Sequence, residues 1–140
     1  MAADLHTEGL EYLLKATFSE EQAVPANYYI GLATDASLAE AAALTDITEV
    51  AGTGYARIAM ASDNVDFTGA GAGTADYKIT TKTVQFTGGA GGWTGAQTVF
   101  LCDVANGTVG KLIASAPLSA TRTLAENDTL DVAMAIQLNG

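Results

Sequence analysis

The chain has 140 residues, of which 49% are hydrophobic but only 7% are aromatic and 16% are charged. This length is typical of one domain, and fifteen glycines with so few charges favour short strands joined by tight turns. Sixteen acidic against six basic residues give a formal net charge of -10, which repels phosphate backbones and anionic lipid, so we expect neither direct nucleic-acid binding nor membrane binding.

The single cysteine, Cys102, excludes an internal disulfide. It follows Phe100 and Leu101, and this context predicts a buried core thiol. The chain contains no run of about 18 apolar residues, and residues 1–6 lack a basic segment followed by an apolar stretch. We therefore expect synthesis in the cytoplasm without a secretion signal.

Apolar residues recur at helical spacing near the N-terminus, at Leu10, Leu13, Leu14 and Phe18. This pattern predicts one amphipathic helix over about residues 4–17, with Asp4 or Thr7 as its cap. Glu11 and Lys15 stand in the order that favours an ion pair one turn apart.

Two interpretations of this helix are open. It packs on its own domain, or it is an arm that docks on a neighbouring subunit. We assign residues 1–24 to an N-terminal helical arm and residues 25–140 to a β-sandwich domain, within a single-domain chain.

Strand patterns fill most of the remaining sequence. The predicted extended segments are Tyr28–Ala33, Tyr55–Met60, Lys78–Phe86, Val99–Cys102, Lys111–Ala116 and Leu130–Leu138. The apolar run at Val99–Cys102 is typical of a strand buried on both faces. Asn106 and Gly107 form the strongest turn signal, which predicts a hairpin between the strands on either side.

The connections carry turn and loop composition. An Ala-rich stretch, Ser37–Leu44, predicts a short helix, whereas Asp63–Asp76 predicts an exposed loop. The glycine cluster Gly88–Gly92 ends a strand, and we expect Trp93 to cover one end of the core. Together these patterns predict a mainly β fold, an antiparallel β-sandwich or jelly roll with an N-terminal α-helix.

Structural roles explain the residues that could carry catalytic or metal chemistry better than such chemistry does. His6 lies where we expect an exposed helix start, and one His with one Cys cannot form a common transition-metal site. Acidic turns at 63–66 and 126–128 lack the twelve-residue calcium-loop spacing. A glycosidase-type carboxylate pair stays open, because its separation is set by the fold. We expect no catalytic residue, no metal, no cofactor and no enzymatic activity.

Four segments resemble a group of small tailed-phage structural proteins. They are Tyr28–Thr34, Thr48–Arg57, Thr98–Asp103 and Leu118–Leu138. The group has a "YxGL" strand, an "EVxGxGYAR" motif, a Trp after a Gly-rich turn, a "GLFD"-like strand and a final "GD" turn. Here Phe100–Asp103 stands in the place of the fourth element and Glu126–Leu130 replaces the last turn. Members of the group are called tail-fibre-like, decoration or hypothetical proteins.

This resemblance implies a non-enzymatic virion component. We favour a capsid decoration, or cement, protein that sits as a homotrimer on the outer capsid surface and bridges capsomers of the major capsid protein, stabilising the shell through many weak contacts. A tail-fibre or baseplate module is the first alternative. A carbohydrate-binding β-sandwich is the second.

Within this frame the helix and the loops Asp35–Thr53 and Ser62–Ala75 are candidate clamps on a partner. Aromatic and Arg side chains carry a large share of interface energy, and they supply our candidate interface anchors. The candidates are Tyr12, Phe18, Tyr55, Arg57 and Trp93. A role in the core of the chain itself is the alternative for each of them.

Overall fold

The computed structural model describes residues 1–74 and 77–137. Its strands are β1 (Ala2–Leu5), β2 (Asn27–Ala33), β3 (Ile58–Ala61), β4 (Phe67–Ala70), β5 (Lys78–Thr81), β6 (Val84–Thr87), β7 (Trp93–Cys102), β8 (Leu112–Leu124), β9 (Thr129–Val132) and β10 (Ala135–Gln137). One α-helix, α1 (Thr7–Leu14), continues into a π-helical turn, Lys15–Ser19, and a 3-10 turn spans Leu44–Asp46. The expectation of a mainly β fold with an N-terminal helix is confirmed.

Eight strands form one sheet in the order β3-β2-β7-β8-β1-β10-β5-β4, and β6 pairs with β9 in a second, two-stranded sheet. Within the described residues the strand pairs are antiparallel except for one. Strand β1 lies antiparallel to β8 but parallel to β10. The predicted antiparallel architecture therefore contains a parallel junction at its middle.

The centre of the large sheet is the β7–β8 hairpin. Gly107 lies in its connection with a φ of 72°, a conformation that glycine adopts without strain, so the predicted turn is confirmed. Strand β8 extends to Leu124, beyond the predicted end at Ala116, because its exposed polar half still pairs with β7. Pairing of the backbone does not require apolar side chains, so sequence patterns underestimate such a strand.

The core lies on both faces of this hairpin. Neighbouring residues of a strand point to opposite faces, and here Val99 and Leu101 join the larger apolar cluster while Phe100 and Cys102 join a smaller one. The prediction of a strand buried on both faces is confirmed, as is that of a core thiol. Leu44 covers the smaller cluster from the 3-10 turn. The short helix predicted over residues 37–44 is wrong, since that stretch forms no α-helix.

The first residues of the chain belong to the sheet. Helix α1 begins at Thr7 rather than near Asp4, because residues 2–5 pair with β8 and β10 as strand β1. The predicted cap, Asp4 or Thr7, is therefore wrong at both positions, because His6 takes the N-cap position and makes no side-chain capping bond. The expected ion pair on the helix is confirmed, with the Lys15 ammonium 2.7 Å from the Glu11 carboxylate.

Two predicted segments are divided differently in the structure. The stretch predicted as an exposed loop after Asp63 contains β4, which pairs with β5 through its backbone. The predicted strand over residues 78–86 is two strands, β5 and β6, which belong to different sheets. Residues 75, 76 and 138, which end other predicted segments, lie outside the described residues.

The last alternating stretch also crosses between the sheets, as β9 and then β10. At the crossing, the amide of Met134 donates to the Thr81 hydroxyl at 2.9 Å, and the Thr81 amide donates to the carbonyl of Met134 at 2.8 Å. These two bonds fix a corner at which both chain segments leave one sheet for the other. No helix of the described residues has the length and apolar character needed to span a membrane.

Candidate functional site

The densest polar arrangement lies around Arg57, whose side chain is only 3% exposed. Its Nε donates to Glu49 Oε1 at 2.9 Å and its Nη2 donates to Glu49 Oε2 at 2.8 Å, so the guanidinium and the carboxylate meet as a two-pronged fork. The same guanidinium donates to the carbonyls of Val104 and Gly107, both at 2.9 Å. It therefore joins the segment before β3 to the loop between β7 and β8.

Tyr55 extends this arrangement into the core. Its hydroxyl accepts the amide of Leu32 at 2.8 Å and donates to Glu49 at 2.8 Å. Its ring stacks on Phe86 at 5.9 Å and meets Trp93 edge-on at 6.0 Å. Burial, followed by the charge of Glu49, raises the pKa of the Tyr55 phenol, so the hydroxyl stays protonated. We call Glu49, Tyr55, Arg57 and the two carbonyls it binds the Arg57 cluster.

The Arg57 guanidinium is held in its ionised form. Burial lowers the pKa of Arg57, but its hydrogen bonds to Glu49 and the neighbouring charges outweigh this effect and leave the pKa above its ordinary value. The guanidinium also lies 5.3 Å from the centre of the Phe100 ring, within range of a cation–π contact.

Cys102 lies beside this guanidinium but is not an activated thiol. Its sulfur is 3.5 Å from Arg57 Nη1 and 3.3 Å from the carbonyl oxygen of Val104. Burial raises the pKa of the thiol despite the nearby positive charge, because removal from water disfavours the thiolate. The sulfur therefore acts as part of the core.

Trp93 is 3% exposed and belongs to the larger apolar cluster. Its Cβ lies so near Gly52 that a Cβ on that glycine would be 2.6 Å from it. The first glycine of the "EVxGxGYAR" motif thus makes room for the tryptophan. The indole Nε1 has no hydrogen-bond partner within residues 1–74 and 77–137.

The remaining two candidate anchors lie on opposite sides of the N-terminal segment. Tyr12 is 2% exposed, donates to the carbonyl of Ala23 at 3.3 Å and meets the ring of Tyr28 edge-on. Phe18 is 80% exposed. The structure therefore brings together Tyr55, Arg57 and Trp93 inside the domain, buries Tyr12 elsewhere and presents Phe18 to solvent.

Sequence reasoning missed two residues that fasten α1. Glu8 accepts the backbone amides of Leu44 at 3.2 Å and Leu112 at 2.8 Å, and its carboxylate lies 3.2 Å from the Lys111 ammonium. In the sequence Glu8 is only one of the polar residues that stand between the apolar positions of the helix. A carboxylate that binds distant backbone amides leaves no periodic signal, so the sequence could not reveal it.

His6 is the second missed residue, and its expected exposure is wrong. Its Nε2 lies 2.7 Å from the Ser115 hydroxyl, and its Nδ1 lies 3.3 Å from the carbonyl oxygen of Glu40. It borders a groove of about 690 Å³ along β1, but the ring is 1% exposed and Ser115 only 6%. Because no substrate reaches a hydroxyl buried to this degree, the pair joins α1, β8 and the loop at Glu40 rather than forming a nucleophile and its base.

The acidic turns considered as calcium ligands bind their own backbone. Asp63 accepts the amides of Val65 and Asp66, and Asp128 accepts the amide of Ala125 at 3.0 Å. Asp66 accepts the amide of Ala61 and the Lys82 ammonium, each at 2.7 Å. Within the described parts of the chain, no three His, Cys, Asp or Glu side chains are grouped so as to hold a metal ion.

A mainly β domain whose ion pairs fasten its own loops is typical of a structural subunit. Residues 5–138 match the family described as podophage GP4 fiber I protein gp80. Because this match covers nearly the whole chain, the protein belongs to that family of phage fibre proteins and is a virion structural protein. The predicted resemblance to small tailed-phage structural proteins is confirmed. No curated protein matches the chain.

Proposed function

We propose that this protein is a non-enzymatic structural subunit of a fibre carried by the phage tail. The observation that carries the proposal is the fibre-family match over residues 5–138. It favours the tail-fibre alternative over the capsid decoration role that the resemblance suggested. The homotrimer and the contact with the major capsid protein stay predictions.

The internal contacts support a mechanical rather than a chemical role. Three carboxylates accept hydrogen bonds that hold the loops and the helix to the sheet. They belong to Glu49, Glu8 and Asp66. Charged groups that already bind side chains and backbone of their own domain are poor candidates for general acids, bases or nucleophiles, which need a free position facing a substrate. They serve to keep the domain rigid, as a fibre subunit under load requires.

The test locates the chain on intact particles. Gold-labelled antibodies against this protein are imaged on virions of the parent phage, and its copies in separated heads and tails are counted by mass spectrometry. We expect label on fibres and copies in the tail fraction. An even label over the head with hundreds of copies would overturn the proposal in favour of decoration. Absence from purified virions would overturn any structural role in the particle.

A further inference from the structure

Helix α1 and the π-helical turn after it direct three large apolar side chains away from the domain. Leu10, Leu14 and Phe18 follow one another at intervals of four residues along α1 and the π-helical turn, and they are 43%, 51% and 80% exposed. Residues four apart lie above one another on a helix, so the three form one outward stripe, which we call the outer row.

The inward side of α1 explains this orientation. Gly9 and Tyr12 are the buried residues of the helix, and a Cβ on Gly9 would lie 2.1 Å from the carbonyl oxygen of Ile113. The missing side chain lets α1 approach the backbone of β8, which directs the opposite side of the helix to solvent. Contiguous exposed apolar residues mark an interaction site more often than a bare surface.

The charges beside the outer row are acidic. Glu20 and Glu21 follow Phe18 after one intervening serine and are exposed, and Glu11 is the residue next to Leu10. The single basic residue of this segment, Lys15, is bound to Glu11 at 2.7 Å, and Glu21 acts on the same ammonium. A partner of the outer row therefore meets apolar side chains bordered by net negative charge.

A second copy of this chain carries few basic residues that could pair with the acidic residues beside the outer row. Its net charge is -10, and its six basic residues include four that already form salt bridges within the chain: Lys15, Arg57, Lys82 and Lys111. A self-contact through this face would bring acid against acid, which disfavours association.

We propose that the outer row docks on a different virion protein, through an apolar patch of that protein bordered by Lys or Arg. The inference rests on the proposed function, since the partner belongs to the same particle. Three side chains bury far less than the ~800 Å² per partner of a standard interface, so this contact acts together with others in the assembled particle.

The test uses particles of the parent phage made without this chain, to which purified full-length protein is added and bound copies are counted. The variant is Leu14→Ser with Phe18→Ser, and the matched control is Val109→Ser, because Val109 is an apolar side chain 94% exposed in the β7–β8 loop. We expect the double variant to bind about tenfold or more weakly and the control to bind as the wild type does. Phe18→Ser alone, the most exposed of the three positions, gives the same readout if the double variant proves unstable.

The charge part of the proposal has its own variants. Glu20→Lys with Glu21→Lys is expected to weaken binding, whereas Glu126→Lys, an exposed acid in the turn before β9, is not. Raising salt from about 50 to about 500 mM is expected to weaken binding of the wild type. If neither salt nor these lysine substitutions changed binding, the proposal that Lys or Arg borders the partner's apolar patch would be overturned.

The remaining outcomes separate the two proposals. Equal binding of wild type and double variant to the particles overturns the docking role of the outer row alone. Self-association of the free wild-type protein in sedimentation equilibrium, lost in the double variant, makes a second copy the occupant and also overturns it. If the wild type binds no part of the particle, the proposed function fails, and the docking inference fails with it.

Discussion

The Arg57 cluster and the outer row use opposite kinds of side chain in opposite ways. In the cluster a buried guanidinium makes four short hydrogen bonds to Glu49, Val104 and Gly107. In the outer row, large apolar side chains stay in water. The usual distribution of polar and apolar groups is thus inverted at both places. We infer from this difference that charged hydrogen bonds stabilise the fold of this chain, whereas its exposed apolar side chains are available for contact with other molecules.

The largest expected effect is at Gly9, which tests whether the close approach of α1 to β8 directs the outer row to solvent. In a helix interior Ala is normally favoured over Gly by about 1 kcal/mol. Here the added Cβ meets the backbone of Ile113, so we expect Gly9→Ala to lower the free energy of unfolding by about 2 to 4 kcal/mol. Urea denaturation measures the change. Thr7→Ala, at an exposed position of the same helix, is the control, and a Gly9→Ala protein as stable as that control would contradict the explanation.

Arg57 tests the other region. Arg57→Met removes the guanidinium donors from Glu49 and from two carbonyls, and leaves Glu49 only the Tyr55 hydroxyl; we expect a loss of about 2 to 4 kcal/mol in the free energy of unfolding. Arg57→Lys should recover only part of it, because an ammonium cannot form the fork. The control is Arg122→Met on the exposed half of β8, with an expected change within about 0.5 kcal/mol. Equal effects of Arg57→Met and Arg122→Met would mean that the cluster does not stabilise the fold.

Tyr55→Phe removes one hydroxyl from the Arg57 cluster and leaves the ring in place. The amide of Leu32 then loses its acceptor, so we expect about 1 to 2 kcal/mol of destabilisation in the same denaturation experiment. Tyr29→Phe, at a half-buried position of β2, is the matched control. A loss no greater than that of the control would show that water replaces the hydroxyl without cost.

Asp66 makes the stability of the fold depend on pH. Its hydrogen bond from Lys82 and the one from the Ala61 amide hold the pKa of the carboxyl below its ordinary value of 3.8. A group whose pKa is lowered by folding stabilises the protein above its unfolded value and loses this effect as pH falls through the folded value. We therefore expect unfolding midpoints to drop below about pH 4, and the difference between wild type and Asp66→Asn to shrink there. Glu126→Gln should not change this dependence; a similar shrinkage for that control would assign the effect to general acid unfolding.

The smallest expected effect is at the outer row itself. Leu14→Ser with Phe18→Ser should change the free energy of unfolding by less than about 0.5 kcal/mol, because exposed side chains contribute little to the isolated fold. Thermal unfolding of the purified protein measures it. A loss of several degrees or more in the midpoint would place these side chains in the core of the chain and remove the contrast between the two regions.

The sequence predicted the elements whose side chains alternate or run apolar. The strand at 99–102, the turn at Gly107 and the break at Gly88–Gly92 are where the patterns placed them, because burial and turn geometry depend on local residue type. Strand β4 was missed, since its Thr, Gly and Ala residues are held by backbone pairing with β5 and present no apolar face. Local patterns cannot show a partner strand.

The orientation of α1 shows what sequence periodicity leaves undecided. The spacing of Leu10, Leu13, Leu14 and Phe18 indicated an amphipathic helix but left open whether it packs on its own domain or docks on a neighbouring subunit. The approach of Gly9 to β8 could not be read from this spacing, because contact with a backbone depends on the absence of a side chain. For the Arg57 cluster, the motif indicated packing and ion-pair contacts for Tyr55 and Arg57, yet their partners at residues 32, 104 and 107 depend on the fold.

Strand β1 lies between β8 and β10, and this position determines when the large sheet can be completed during translation. Residues 2–5 are synthesised long before one of their two neighbours, residues 135–137. The half of the large sheet containing β10, β5 and β4 joins the other half through this four-residue strand. Contacts between such distant segments slow the closing step of folding. The sheet therefore stays in two open halves until residues 135–137 have been synthesised, and edges that could pair with other nascent chains are exposed until then.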